Sequence, residues 1–79
     1  MTETPLRECG RIGNFDVYYN PLNHRVICER KSDLATVLFD YPSFTIVRNW
    51  GVDQQELTQL AADCKPRCDL LLQKESARG

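Results

Sequence analysis

Phe15-Asp16-Val17-Tyr18-Tyr19-Asn20-Pro21-Leu22-Asn23-His24-Arg25-Val26-Ile27-Cys28-Glu29 is the stretch on which the fold turns. Two runs rich in β-branched and aromatic residues flank Asn20-Pro21-Leu22-Asn23, so the segment reads as a β-hairpin. Asn at the first turn position bonds back to the backbone and Pro at the second presets φ near −65°, which favours a type I turn in a four-residue loop. Pairing Tyr19 with His24 then sets Val17 opposite Val26 and Phe15 opposite Cys28. One face carries Phe15, Val17, Tyr19, His24, Val26 and Cys28 and is the expected core side. The reverse face pairs Asp16 with Ile27 and Tyr18 with Arg25.

Working outward, Ser32 and Asp33 are helix caps, and Leu34, Val37, Leu38 and Tyr41 follow at i, i+3, i+4 and i+7 before Pro42. That spacing favours a short helix. The rival is a strand through Thr36 to Tyr41, since Thr36, Val37 and Phe39 suit a sheet. Phe44 to Trp50 alternates as a third strand, with Phe44, Ile46 and Trp50 inward and Val47 on the side of Tyr18 and Ile27. Asp53 as N-cap with Glu56 three residues on makes a capping box, stapled by Val52 and Leu57. The helix it opens has the apolar stripe Leu57, Leu60, Ala61 and Cys64, and Lys65-Pro66 is expected to stop or kink it. Cys68, Leu71 and Leu72 prolong the stripe, although Leu70-Leu71-Leu72 also suits a buried strand. No internal repeat is visible.

The expected architecture is therefore a small α+β domain over residues 14–75: N-terminal hairpin, short helix, third strand and C-terminal helix, with 68–73 helix or strand. Residues 1–13 form an irregular arm with a short strand near Cys9 to Ile12, and 76–79 a frayed tail. A chain of 79 residues has a thin core. Burial at ~25 cal/mol/Å² supplies on the order of 120 kcal/mol, about what ordering the residues costs at ~1.5 kcal/mol each. Stability then leans on a further contact, either through the cysteines or with another chain.

Ten Lys plus Arg against eleven Asp plus Glu give a net charge of −1, with neither sign gathered into a run. A surface with no positive excess offers little counterion release, so nucleic acid is not an expected partner. A helix-turn-helix drawn over the C-terminal segment would present Leu70, Leu71 and Leu72 to the bases, which is the wrong chemistry. The start has no apolar stretch of signal-peptide length, and nothing approaches a membrane span. The expectation is a cytoplasmic protein whose cysteines are thiols rather than disulfides.

Four cysteines and one histidine invite zinc, but only Cys64 and Cys68 lie close in sequence, as C-x3-C around Pro66, and paired C-x2-C knuckles are lacking. These two are the only metal candidates, and no cofactor is expected. His24 and Cys28, four residues apart on a strand, are about 13 Å apart at ~3.3 Å per residue, too far for a nucleophile and its base. Gly10-x-x-Gly13 lacks the lysine and the strand-to-helix context of a phosphate loop. Asp16, Asp33, Asp40 and Asp53 are dispersed. No catalytic set emerges, and an enzyme is not expected.

What remains is the sheet's reverse face. With helices on one side, Tyr18, Ile27 and Val47 lie uncovered on the other, with Arg25 and Asp16 as a polar rim. This points to a non-enzymatic protein working by protein contact, as an inhibitor, an adaptor or an accessory subunit, with a second copy or another protein as partner. The alternative is a zinc-stabilised or nucleic-acid-contacting module.

Overall fold

A computed structural model describes residues 6–78, with side chains through Gln73. Five strands, β1 (Arg7–Ile12), β2 (Phe15–Asn20), β3 (Arg25–Arg30), β4 (Thr36–Asp40) and β5 (Ile46–Trp50), precede one helix, α1 (Gln54–Arg78). The strands form an antiparallel sheet in the order of the sequence, and α1 lies on one face of it, an α+β arrangement.

The loops explain the sheet. Gly13, at φ 60°, and Asn14 close β1 onto β2 as a two-residue turn with Ile12 opposite Phe15, the position where a hairpin wants a residue with positive φ. The next three loops, 21–24, 31–35 and 41–45, each carry a left-handed, non-glycine residue at their fourth position: His24 at φ 56°, Leu34 at 63° and Phe44 at 57°. Leu34 N–H donates to Arg30 O and Phe44 N–H to Asp40 O, both at 2.7 Å, so the turn geometry repeats at ten-residue intervals, 24, 34 and 44. This is a repeat of backbone conformation that the side chains do not advertise.

The structure corrects the expected register of the first of these hairpins. His24 belongs to the loop, exposed, and the pair nearest the turn is Asn20 with Arg25, so Tyr19 faces Val26 and Val17 faces Cys28. Asn20 keeps its turn role, its Oδ1 accepting from Leu22 N–H at 3.0 Å. Because the shift is two residues, every side chain stays on its expected face.

The short helix at 33–41 is replaced by the rival strand, β4. Leu34 is 65% exposed in the loop. The Asp33 carboxylate, read as a helix cap, instead accepts from Ala35 N–H at 3.2 Å and pairs with the Arg30 guanidinium at 2.9 Å. The helical spacing mixed the two sides of a strand: Val37 is buried and Leu38 faces outward. The short strand expected near Cys9 to Ile12 is present and longer, as β1 from Arg7 to Ile12, so less of the N-terminal arm is irregular than expected. Residues 1–5 lie outside the described residues.

Phe15, Val17, Tyr19, Val26, Cys28, Val37 and Phe39 make the covered face, and Leu57, Leu60, Cys64 and Cys68 of α1 close over them. Of the expected inward set, Phe44 packs against the core beside Phe39, but Ile46 and Trp50 on β5 do not. The helix packs toward β1, Ile46 is 42% exposed, and an irregularity opposite Leu38 and Phe39 turns Trp50 to the outer face beside Thr36. Asn49 clamps the link to the helix, donating to Val52 O at 2.8 Å and accepting from Val52 N–H at 2.9 Å.

At the start of α1, Leu57 N–H donates to Asp53 O at 2.9 Å, and Val52 and Leu57 are both buried, as a staple requires. The Glu56 carboxylate does not close the capping box. It accepts from Arg30 Nη1 at 2.6 and 2.7 Å, tying the helix start to β3. Pro66 neither ends nor replaces the helix, which runs unbroken through the polar end expected to fray, as far as Arg78. Proline removes the bond to Ala62 O, but Ala62 and Pro66 are both exposed, so the loss falls on the solvent side of the helix and not in the core. Gly79 lies outside the described residues.

Glu56 meets Arg30 at one end of the sheet, and Asp69 meets Tyr41 at the other. Thirteen residues of helix at ~1.5 Å span about 20 Å, the length of a six-residue strand, so α1 runs along the strands. The Tyr41 hydroxyl donates to the Asp69 carboxylate. That bond, with partial burial, pushes the phenol up to about 12, and the same bond, aided by Lys65, holds Asp69 below its ordinary value. Tyr41 is raised in the fold, so its contribution is whole below about pH 10 and is lost as pH rises through about 12. Asp69 is lowered, so its contribution is whole above about pH 4 and is lost as pH falls. Ultraviolet difference titration is expected to show a phenol ionising near 12. Tyr41→Phe should remove that late component, and its persistence in the variant would refute the assignment.

Candidate interaction face

Among the described residues no element covers the other side of the sheet. The pairings lay its outward residues in rows across the strands. The central row is Glu8, Tyr18, Ile27, Leu38 and Arg48, from β1 to β5. Tyr18 and Ile27, expected only to share this face, are direct cross-strand partners, and Leu38 extends them into a half-buried apolar stripe over the three central strands. Each such pair contributes roughly 0.2–1 kcal/mol to the sheet without needing any cover.

The neighbouring rows are polar except for Trp50. On one side stand Asn20, Arg25 and Asp40, with Arg25 Nε 3.3 Å from the Asp40 carboxylate. On the other stand Arg11, Asp16, Glu29, Thr36 and Trp50. Asp16 pairs with Arg11 at 3.4 Å and with Lys31 at 3.5 Å. Arg25 and Asp16 are therefore brought to the rim of the stripe, as their alternation implied, each with its own counter-ion. Val47 is not in the stripe: the β5 residue opposite Leu38 is Arg48, and Val47 sits half-buried at the irregularity. Leu38 and Trp50 were missed. Leu38 becomes legible only once 36–40 is taken as a strand, and Trp50 only once the irregularity in β5 is known.

The cysteines lie on the helix side and meet in two pairs, each joining the sheet to α1. Cys28 and Cys64 have their sulfurs 3.7 Å apart, and Cys9 and Cys68 are 4.0 Å apart. Cys64 and Cys68 thus share a helix face but touch different strands. No group of three or more metal-ligating side chains is assembled among the described residues. The contact with Cys64 and then burial push the Cys28 thiol upward, and the contact with Cys9 and then burial do the same for Cys68. Both behave as protonated, small apolar groups in the core.

A shallow cavity of about 220 Å³ near the start of α1 is lined by Phe15, Leu60, Glu56 and Asp63 among others. Its two carboxylates are engaged, Glu56 by Arg30 and Asp63 by the Gln59 amide at 3.0 Å. His24 is hydrogen-bonded through Nδ1 to the Tyr19 hydroxyl at 2.9 Å, far along the sheet from Cys28. No described helix is long and apolar enough to cross a membrane. No family model, curated protein or solved structure matches this chain.

Proposed function

We propose that this is a non-enzymatic protein of the cytoplasm that works by protein contact through the open sheet face, as an inhibitor, an adaptor or an accessory subunit. The observation that carries the reading is the Tyr18–Ile27–Leu38 stripe, set between rows of charge on a face that nothing in the described chain covers. Antiparallel sheets often present one face to water, but such a face usually alternates to polar residues throughout. Here its centre is apolar, and the charged rim residues Arg25 and Asp16 carry counter-ions that let them approach another surface without an uncompensated charge. Four thiols in place of disulfides suit a reducing compartment. The engaged carboxylates of the cavity near α1 support a role without catalysis.

The occupant this face fits best is a second copy. The central row ends in Glu8 on β1 and Arg48 on β5. A twofold axis along β3 sets the acidic end of one row against the basic end of the other. Sedimentation is expected to give a dimer that Tyr18→Asp with Ile27→Asp converts to a folded monomer. A wild-type chain that stays monomeric at high concentration removes the second copy as occupant. If that double variant also retains every interaction captured by cross-linking in its native host, the face is not the contact.

A further inference from the structure

The two cysteine pairs are alike in contact and unlike in access. Cys28, Cys64 and Cys68 are wholly buried, whereas Cys9, on edge strand β1, is partly exposed. Beside it opens a cavity of about 320 Å³ lined by Glu8, Cys9, Arg67, Leu70 and Leu71, within the size range of small-molecule sites. Gly10, at φ 101°, lets Arg67 lie across β1: a Cβ there would stand 3.2 Å from Arg67 Nη1. The wall next to Cys9 thus carries a guanidinium that suits the carboxylates of a peptide-like disulfide.

We propose that Cys9 and Cys68 form an oxidation site: a small-molecule disulfide of the glutathione type enters by this cavity and leaves the two sulfurs joined, tethering β1 to α1, while Cys28 and Cys64 remain thiols. The Cys9 thiolate attacks one sulfur of the oxidant, whose S–S bond breaks and releases one thiolate, which takes up a proton. The Cys68 thiol then attacks the Cys9 sulfur, its proton passing to the second small thiolate, which leaves as a thiol. Two protein thiols are oxidised to one disulfide and one oxidant disulfide is reduced to two thiols. The protein sulfurs need only close from 4.0 Å to about 2 Å. Access decides which pair reacts, since the buried pair, at 3.7 Å against 4.0 Å, is if anything the closer.

Trypsin separates all four cysteines, into peptides 8–11, 26–30, 49–67 and 68–74. The native chain treated with oxidised glutathione is expected to lose two hydrogens and to yield 8–11 joined to 68–74. The other two cysteines should take up alkylating reagent only after denaturation, and the thermal midpoint should rise by about 10 °C or more, reversibly with reductant. Cys68→Ser should arrest the reaction at the mixed disulfide on Cys9, and Cys9→Ser should take up no glutathione. A wild-type chain that keeps glutathione on Cys9 without closing, links two chains through Cys9, or oxidises Cys28 with Cys64 first overturns the proposal. Should Cys68→Ser fail to fold, the wild-type peptide map decides alone.

Discussion

Replacing Phe39 by Ala is expected to cost about 3–5 kcal/mol and to leave a large share of the chain unfolded at room temperature. Phe39 is 1% exposed and sits on β4 between Val26 and Ile46, its ring 5.2 Å from that of Phe44. Truncation removes the aromatic volume and leaves a void, and the two-layer packing of sheet and single helix has few neighbours able to collapse into it. Against a total of roughly 4–12 kcal/mol for a domain of this size, that is a large fraction. Phe39→Leu, which keeps most of the volume, should retain most of the stability. Leu22→Ala removes an equally apolar side chain that is 78% exposed, and should change stability by no more than about 0.5 kcal/mol. Urea denaturation followed by circular dichroism measures all three, and a Phe39→Ala loss as small as that of Leu22→Ala would refute the placement of the core.

The opposite sign is expected for Pro66→Ala, a gain of about 2–3 kcal/mol. Proline in a helix interior is about 3 kcal/mol worse than alanine, because it lacks the N–H and its ring crowds the carbonyl four residues earlier. In α1 the side chain of Pro66 is exposed and packs into no core, so its removal forfeits no burial. Alanine restores the bond to Ala62 O and gives up only the restriction that proline places on the unfolded chain, worth up to about 1 kcal/mol. The thermal midpoint should rise by about 10 °C. An unchanged or lowered midpoint would mean that α1 bends at this point in a way the fold uses.

The sequence disclosed the faces better than the partners. Strict alternation at 15–19 and 25–29 separated Val17, Tyr19, Val26 and Cys28 from Tyr18 and Ile27, and a two-residue error in register could not disturb that division. Asp53, Val52 and Leu57 marked the start of α1 because those signals are local. The failures have a common cause in the loops. His24, Leu34 and Phe44 take left-handed backbone without being glycine, so although Asn20-Pro21, Ser32-Asp33 and Pro42-Ser43 stand at the loops, nothing marks the residue at which each one closes. With no glycine at Leu34 to mark the end of a loop, the helical spacing of 34–41 was preferred to the rival strand, and Leu38 and the outward Trp50 were lost with it. Pro66 misled because a cost of about 3 kcal/mol lowers stability without ending a helix whose next turn, with Cys68, is packed against the sheet. The sulfur pairs join residues 59 and 36 apart, and nothing in the spacing of Cys9, Cys28, Cys64 and Cys68 says which will meet.

Strand order that follows chain order gives each hairpin a short closure to make, and only the return of α1 over the sheet is long. During synthesis the meander can zip up strand by strand as it leaves the ribosome. Its greasy underside, Val17, Val26, Val37 and Phe39 included, then stays bare until residues 54–72 emerge to roof it. A chain cut short after Gly51 would display a five-stranded sheet with no lid, a natural client for a chaperone that binds apolar surface.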